Sequence, residues 1–204
     1  MKTIDEEILP RMAKSILKQI SESLLGTGHL KIEDFKSESI LAQKIIDIID
    51  SSHFHLVIDH RKTIENLAKK FYDSKNLEIS IFFYSLYFEQ TLNYIIHVQL
   101  IKNGKNPNLT KNIIKATNIE AKLSWVLELL NLPEINEKHK KIILLVSQER
   151  NSFIHYKWMD DSNHINIKLF FKSYNINKTI IYLKKYESRI RFNGNKKNLR
   201  KTSK

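Results

Sequence analysis

The sequence predicts an all-α protein, and three observations support this class. Only four glycines and three prolines occur in 204 residues. Apolar residues recur at intervals of three and four along most of the chain, which is the spacing of one helix face. The stretch Ile79–Ile101 is apolar almost throughout. Helices joined by short or medium loops are expected to pack as an up-down four-helix bundle, with a helical extension at the amino terminus.

Two helices are predicted in the extension. The first has apolar residues at helical spacing from Leu9, with Pro10 in its first turn and Gly26 as its stop. The second covers residues 37–50. No structure is assigned to the segment 53–60.

The bundle is predicted to begin with a stripe from Ile64 to Phe71, followed by the long apolar helix, which ends at Asn103-Gly104. A loop is expected through Asn106-Pro107. The pattern Thr117-Asn-Ile-Glu120 predicts a capping box, followed by one helical face that continues until Pro133. Two further helices are predicted, from about Glu137 and over residues 176–190, with a loop at 165–169 between them.

The predicted domains are an extension over residues 1–60, a bundle over 61–191 and a basic tail over 192–204. The net charge is +12, and from Lys184 onward nine basic residues face one acid, which accounts for +8. The positive charge is therefore concentrated at the carboxyl-terminal end of the chain rather than spread over the surface of the bundle. Two interpretations stay open for the tail, an arm that grips RNA and a solvated terminus.

Composition also excludes several classes of function. Without cysteine the chain has no disulfide, no thiolate zinc site and no cysteine nucleophile, as expected for a reducing compartment. The amino terminus has no signal-peptide pattern, so a cytoplasmic protein is expected. The stretch Ile79–Ile101 contains polar residues that are costly in hydrocarbon, so a membrane span is not expected; they include Glu89, Gln90, Asn93, His97 and Gln99. No cofactor and no metal site are expected.

The segment Arg150-Asn-Ser-Phe-Ile-His155 is the best candidate for chemistry. A polar residue after an arginine, with histidine at the fifth position, is expected by chance about 0.07 times in such a chain. On a helix, five residues correspond to about 140° of rotation, so both side chains lie on one broad face. Asn151 is in line with His155. Glu89 on a neighbouring helix is the carboxylate expected to orient one of them.

Residues 62–190 resemble the HEPN superfamily of helical bundles, whose signature is arginine, a polar residue, three or more residues, and histidine. The resemblance implies a metal-independent endoribonuclease that acts as a homodimer through the bundle, as a toxin or an antiviral abortive-infection effector. It implies that Arg150 and His155 are catalytic, that Asn151 is the accompanying polar residue, and that Glu89 is the family's acidic residue. An antitoxin or regulatory protein is an expected partner.

Residues directly after the motif complete the predicted site. Tyr156 and Lys157 are expected to bind the substrate. Some toxin members carry a tyrosine two residues after the histidine, which a nucleotidyltransferase modifies. Here Lys157 occupies that position, so such a partner is not expected.

The predicted chemistry is cleavage of RNA by its own 2′-hydroxyl group. His155, with an ordinary pKa of about 6.5, can move the proton, while Arg150 stabilises charge on phosphorus. Glu89 would orient Arg150 or set the histidine tautomer. DNA lacks the nucleophile and should not be cleaved.

Three other interpretations remain at this stage. Glu89 and Arg150 can form a structural ion pair, with His155 near the negative end of its helix. The bundle can be a non-catalytic module that binds a nucleotide, RNA or a protein. The chain can also be a dimeric regulator that binds nucleic acid through residues 193–204.

Overall fold

A computed structural model describes residues 8–51, 59–155 and 167–192, and all regular elements in these ranges are helical. A single 3₁₀ turn, Ile32–Lys36, accompanies the α-helices. The α-helices are α1 (Ile8–Thr27), α2 (Glu38–Ser51), α3 (Arg61–Asp73), α4 (Leu77–Lys102), α5 (Pro107–Ala116), α6 (Ile119–Lys122), α7 (Trp125–Leu129), α8 (Glu137–His155), α9 (Ile167–Ser173) and α10 (Ile176–Phe192). The all-α prediction is thereby confirmed for the described residues.

The chain divides into two compact units, with boundaries after Leu56 and after Ile190. In its described part, the first unit contains α1, the 3₁₀ turn, α2 and the last two residues of α10. Its small core consists of Leu24, Leu25, Leu30, Ile45 and Phe192. Residues 193–204, where most of the predicted basic tail lies, are outside the described residues.

Helix α1 continues through Gly26, which was predicted to stop it, and ends at Thr27. A side chain at Gly26 would collide with the side chain of Arg191, which would have to shift, so the glycine serves close packing rather than a turn. The helix terminates at Gly28, whose φ of 84° lies in the left-handed region.

The second unit holds α3 to α9 and α10 as far as Ile190. Helix α4 lies at its centre, because apolar side chains on nearly every side of this helix are buried. The buried core of the unit is formed by Ile64, Ala68, Ile81, Tyr84, Tyr87, Phe88, Leu92, Ile95, Leu123, Leu127, Ile135, Ile142, Ile143, Val146, Phe170, Ile176, Ile180, Leu183, Tyr186 and Ile190.

Asparagine begins four helices of this unit, because its side-chain oxygen accepts a backbone N–H in the first turn that has no partner within the helix. The distances are 2.7–3.1 Å. The capped helices are α5, α6, α8 and α10, and the capping residues are Asn106, Asn118, Asn136 and Asn175.

Buried charge joins α3 to α10. Glu65, only 3% exposed, accepts hydrogen bonds from Lys69 at 2.7 Å and from Lys184 at 2.6 Å. One turn earlier, Arg61 donates to Glu187 at 2.7 Å. The contacts of Glu65 with Lys184 and of Arg61 with Glu187 link residues that are more than a hundred positions apart in sequence.

Three predictions for loops and helix ends in this unit were wrong. The expected loop after Pro107 is helix α5, because Asn106 caps it and Pro107 suits a first helical position. The expected loop near 165–169 includes the start of α9, where Phe170 is buried in the core and stabilises the helix.

The third error concerns the segment before Pro133. Asn118, not Thr117, caps the helix there. The expected continuous helix is divided into α6 and α7 at Ser124, whose hydroxyl donates to the Glu120 carbonyl at 2.7 Å. The four helices expected after residue 76 were predicted to be of similar length. Helix α4 has 26 residues, α8 has 19 and α10 has 17, and the helix expected between α4 and α8 is divided, so a bundle of four similar helices is an incomplete description of this unit. None of the helices in the described ranges has the length and apolar content needed to cross a membrane.

Candidate functional site

Helices α4 and α8 bring Glu89 and Arg150 together. Arg150 Nη2 donates to Glu89 Oε2 at 3.1 Å, across 61 positions of sequence. The side chains keep 28% (Arg150) and 35% (Glu89) of their surface exposed. This pair is therefore accessible to a ligand in the unit as described.

A third charged residue, which the sequence analysis missed, faces the same carboxylate. Lys122, at the end of α6, places Nζ 3.9 Å from Glu89 Oε1, the oxygen that does not contact Arg150. The residue is only 2% exposed. Burial lowers the pKa of Lys122, and the negative charge of Glu89 opposes that shift.

A signal for Lys122 does exist in the sequence. The residue occupies the i+3 position of a stripe that starts at Ile119 and continues through Leu123 and Val126. A lysine inside an apolar stripe is either extended to solvent or buried against a carboxylate. Helical periodicity identifies such a position, but only packing identifies its partner.

The same side of α4 carries a polar atom that lacks a partner. Asn93 is one turn beyond Glu89, and its Oδ1 is buried without a hydrogen bond to any described residue. A buried acceptor without a donor is costly, so a bound molecule that donates there would stabilise it.

The remaining predicted residues lie at or beyond the end of α8. Asn151 is exposed, as a residue that contacts substrate must be. His155 is the last residue of the helix, and its backbone position is four residues from Asn151, on the same side. The His155 side chain, Tyr156 and Lys157 lie outside the described part of the structure.

The chemistry of this cluster follows from its charges. One carboxylate holds an arginine in place, and a second cation lies behind it, so the cluster carries more positive than negative charge when Lys122 is protonated. A guanidinium with planar N–H donors suits a phosphate group. Among the described residues, no group of three or more histidine, aspartate or glutamate side chains is arranged to hold a metal ion.

Comparison of the chain with protein-family models, with curated protein sequences and with solved structures gave no match.

Proposed function

We propose that this protein is a metal-independent endoribonuclease of the HEPN type, which cleaves RNA by attack of the 2′-hydroxyl group on the adjacent phosphorus. The contact between Arg150 and Glu89 is the observation that carries the proposal. It supports a pre-organised arginine at the end of α8, five residues before a histidine in the same helix.

Energetics favour a functional role for this pair over a purely structural one. An ion pair as exposed as Arg150 and Glu89 contributes about 0–1 kcal/mol to stability. Burial of Lys122 beside it is unfavourable, since its Nζ reaches the carboxylate only at 3.9 Å. Charges that cost stability in this way are typical of functional sites.

In the proposed reaction, His155 either accepts the proton of the 2′-hydroxyl while water protonates the departing 5′ oxygen, or donates a proton to that oxygen while water accepts the proton of the 2′-hydroxyl. Attack forms a bond between the 2′ oxygen and phosphorus and breaks the bond to the 5′ oxygen, which leaves a 2′,3′-cyclic phosphate. Arg150 stabilises the growing negative charge on the phosphoryl oxygens. Glu89 positions Arg150, and Asn151, Tyr156 and Lys157 bind the substrate.

The proposed biological setting is a cytoplasmic toxin or antiviral abortive-infection effector that acts as a homodimer and is restrained by an antitoxin or regulatory protein. A strip of partly exposed residues along one side of α4 supports a dimer, because its two apolar members, Phe82 and Leu86, lie near the site where a second copy could cover them. The strip consists of Phe82, Leu86, Glu89, Asn93 and His97.

The test is cleavage of a single-stranded RNA in EDTA by the full chain. Cleavage is expected with a 2′,3′-cyclic phosphate product, and neither DNA nor 2′-O-methyl RNA should be cut. His155→Ala and Arg150→Ala should abolish cleavage while circular dichroism stays unchanged. His29→Ala, at an exposed histidine of the first unit, is the matched control. Cleavage that survives His155→Ala, or that needs a divalent cation, contradicts the proposal.

The contact between Arg150 and Glu89 also fits a second function, that of a non-catalytic binding module. Arg150 is already engaged by Glu89, as expected for a structural ion pair in a non-catalytic HEPN-like module that binds a nucleotide, RNA or a protein partner. Such a module would bind RNA with a dependence on Arg150 and would not cleave it. Binding without product in the assay above therefore selects this alternative.

A further inference from the structure

A cavity lies at the end of α8 that is opposite to Arg150. Its volume is about 250 Å³, and it is lined by the first turn of α8 and by the amino-terminal half of α10. His139 and Arg150 are eleven residues apart on one helix, or about 16 Å. The cavity is therefore separate from the site proposed for RNA cleavage.

Two aromatic rings form one wall of this cavity. His139 stacks on Tyr182, with 4.2 Å between the ring centroids and 17° between the ring planes. His139 Nδ1 is 2.9 Å from the hydroxyl of Thr179, which is fully buried. The Tyr182 hydroxyl accepts a hydrogen bond from the backbone N–H of Asn136 at 3.0 Å. These contacts hold both rings in fixed positions.

Positive charge surrounds the rings without compensation. Lys138, Lys178 and Lys185 line the cavity, and no carboxylate does. None of these lysines forms an ion pair with a described residue. Lys140 on α8 and Lys184 on α10, which do not line the cavity, are paired with Glu137 and Glu65. The amino-terminal ends of α8 and α10 add the positive ends of two helix dipoles.

The cavity also has an apolar side, to which Ile142 and Ile181 contribute. A small inorganic ion would leave this side unused. Pockets for drug-sized ligands span about 300–1,000 Å³, so a cavity slightly below that range suits a small organic molecule. Three ammonium groups are suited to the two negative charges of a phosphate monoester.

From this arrangement we propose that the cavity between α8 and α10 binds a small organic phosphate, of the size of a mononucleotide. The phosphate group contacts Lys178, Lys185 and Lys138, and the organic part packs against Tyr182 and Ile181. Binding here does not require RNA cleavage at Arg150, and either proposal can fail without the other.

Isothermal titration calorimetry on the full chain tests the proposal with AMP, adenosine and inorganic phosphate. AMP should bind at least about tenfold more tightly than adenosine, because a charged phosphate provides the main contact. Phosphate should compete with AMP and bind more weakly. Phosphate that binds as tightly as AMP would show that the free ion is the ligand and would overturn the assignment to an organic phosphate.

The key variant is the double substitution Lys178→Gln with Lys185→Gln, which should weaken AMP binding at least about tenfold. Lys70→Gln with Lys172→Gln removes the same charge from exposed positions outside the cavity and should leave binding unchanged. AMP binding by His155→Ala should equal that of the unaltered chain, which separates this result from the nuclease assay.

Three outcomes would overturn the proposal. The first is the absence of heat with AMP and phosphate at millimolar concentration. The second is AMP binding that the Lys178 and Lys185 substitutions do not weaken. The third is that the unaltered chain does not bind AMP while the double variant loses RNA binding, which would make the cavity part of an RNA-binding surface.

Discussion

Lys122 Nζ lies 3.9 Å from Glu89 Oε1, and this places a buried cation behind the carboxylate that holds Arg150. The two basic residues approach different oxygens of one carboxylate, one from the interior and one from the surface. A substitution at Glu89 therefore affects Arg150 and Lys122 together, while a substitution at Lys122 leaves the surface pair intact.

We expect Lys122→Met to raise the free energy of unfolding at pH 7 by about 1 kcal/mol, because it replaces a buried amine by an apolar side chain of similar length. Glu89 keeps Arg150 and solvent, so it is not left as an isolated buried charge. Urea unfolding measures the change. Lys105→Met, at an exposed position, is the control and should have little effect. A loss of stability in Lys122→Met would contradict this account of the lysine.

The advantage of Lys122→Met should shrink as the pH rises. The pKa of Lys122 is lowered in the folded protein, so the unfolded chain binds the proton more tightly. Stability of the unaltered chain should consequently rise with pH between the folded pKa and the ordinary lysine value of 10.5. Unfolding measured at pH 7, 9 and 10 tests this, and a constant difference between the two proteins would argue against a buried ammonium.

Glu89→Gln should reduce RNA cleavage by about 10- to 100-fold, since residues that orient a functional group have effects of this size. The amide can still accept from Arg150, but the buried Lys122 loses its counter-charge, so the free energy of unfolding should fall by about 1–2 kcal/mol. Initial rates on one RNA substrate, together with urea unfolding, separate the two effects. Equal cleavage by both proteins would show that Glu89 does not position Arg150.

Glu65→Gln should make the protein less sensitive to acid. Burial by itself would raise the pKa of Glu65, but hydrogen bonds from Lys184 and Lys69 outweigh it and hold the pKa below its ordinary value. The stabilisation is complete above the unfolded value of 4.5 and is lost as the pH falls through the folded pKa. At pH 7 the substitution should lower the free energy of unfolding by about 1–2 kcal/mol. This is less than the loss of a fully buried ion pair, because both lysines are nearly half exposed to solvent.

The measurement for Glu65 is the difference in unfolding free energy between pH 7 and pH 3. This difference should be smaller in Glu65→Gln than in the unaltered chain. Glu134→Gln, at an exposed position, should show the same difference as the unaltered chain. If Glu65→Gln retains the full acid sensitivity, another carboxylate is responsible.

Tyr186→Phe should lower the free energy of unfolding by about 1–2 kcal/mol. The Tyr186 hydroxyl donates to the Pro133 carbonyl at 2.5 Å, and the ring is 1% exposed, so the substitution leaves a carbonyl without its donor. Burial, with a smaller contribution from Tyr182, raises the pKa of the Tyr186 phenol. Because Tyr186 does not ionise near pH 10, the absorbance change of the tyrosines near that pH should be the same in Tyr186→Phe as in the unaltered chain.

Local sequence patterns were sufficient for much of the second unit. The periodicity of apolar residues predicted α3, α8 and α10, since one-sided burial leaves a repeat that does not depend on distant residues. Helix α4 was predicted from its long and almost unbroken apolar stretch. The same patterns failed for α9, because a short apolar segment is helical only when it packs on a core. Its two phenylalanines, Phe170 and Phe171, obtain that core from other helices.

Sequence alone determined the helical class and the placement of Arg150 and Asn151 in the last turns of α8, because each depends on neighbours within a few residues. Only the tertiary structure decided that Lys122 shares Glu89 with Arg150, and that His139 meets Thr179 across 40 positions. The physical reason is that packing of whole helices selects which polar side chains come within hydrogen-bonding distance. A periodic pattern along one helix contains no record of that choice.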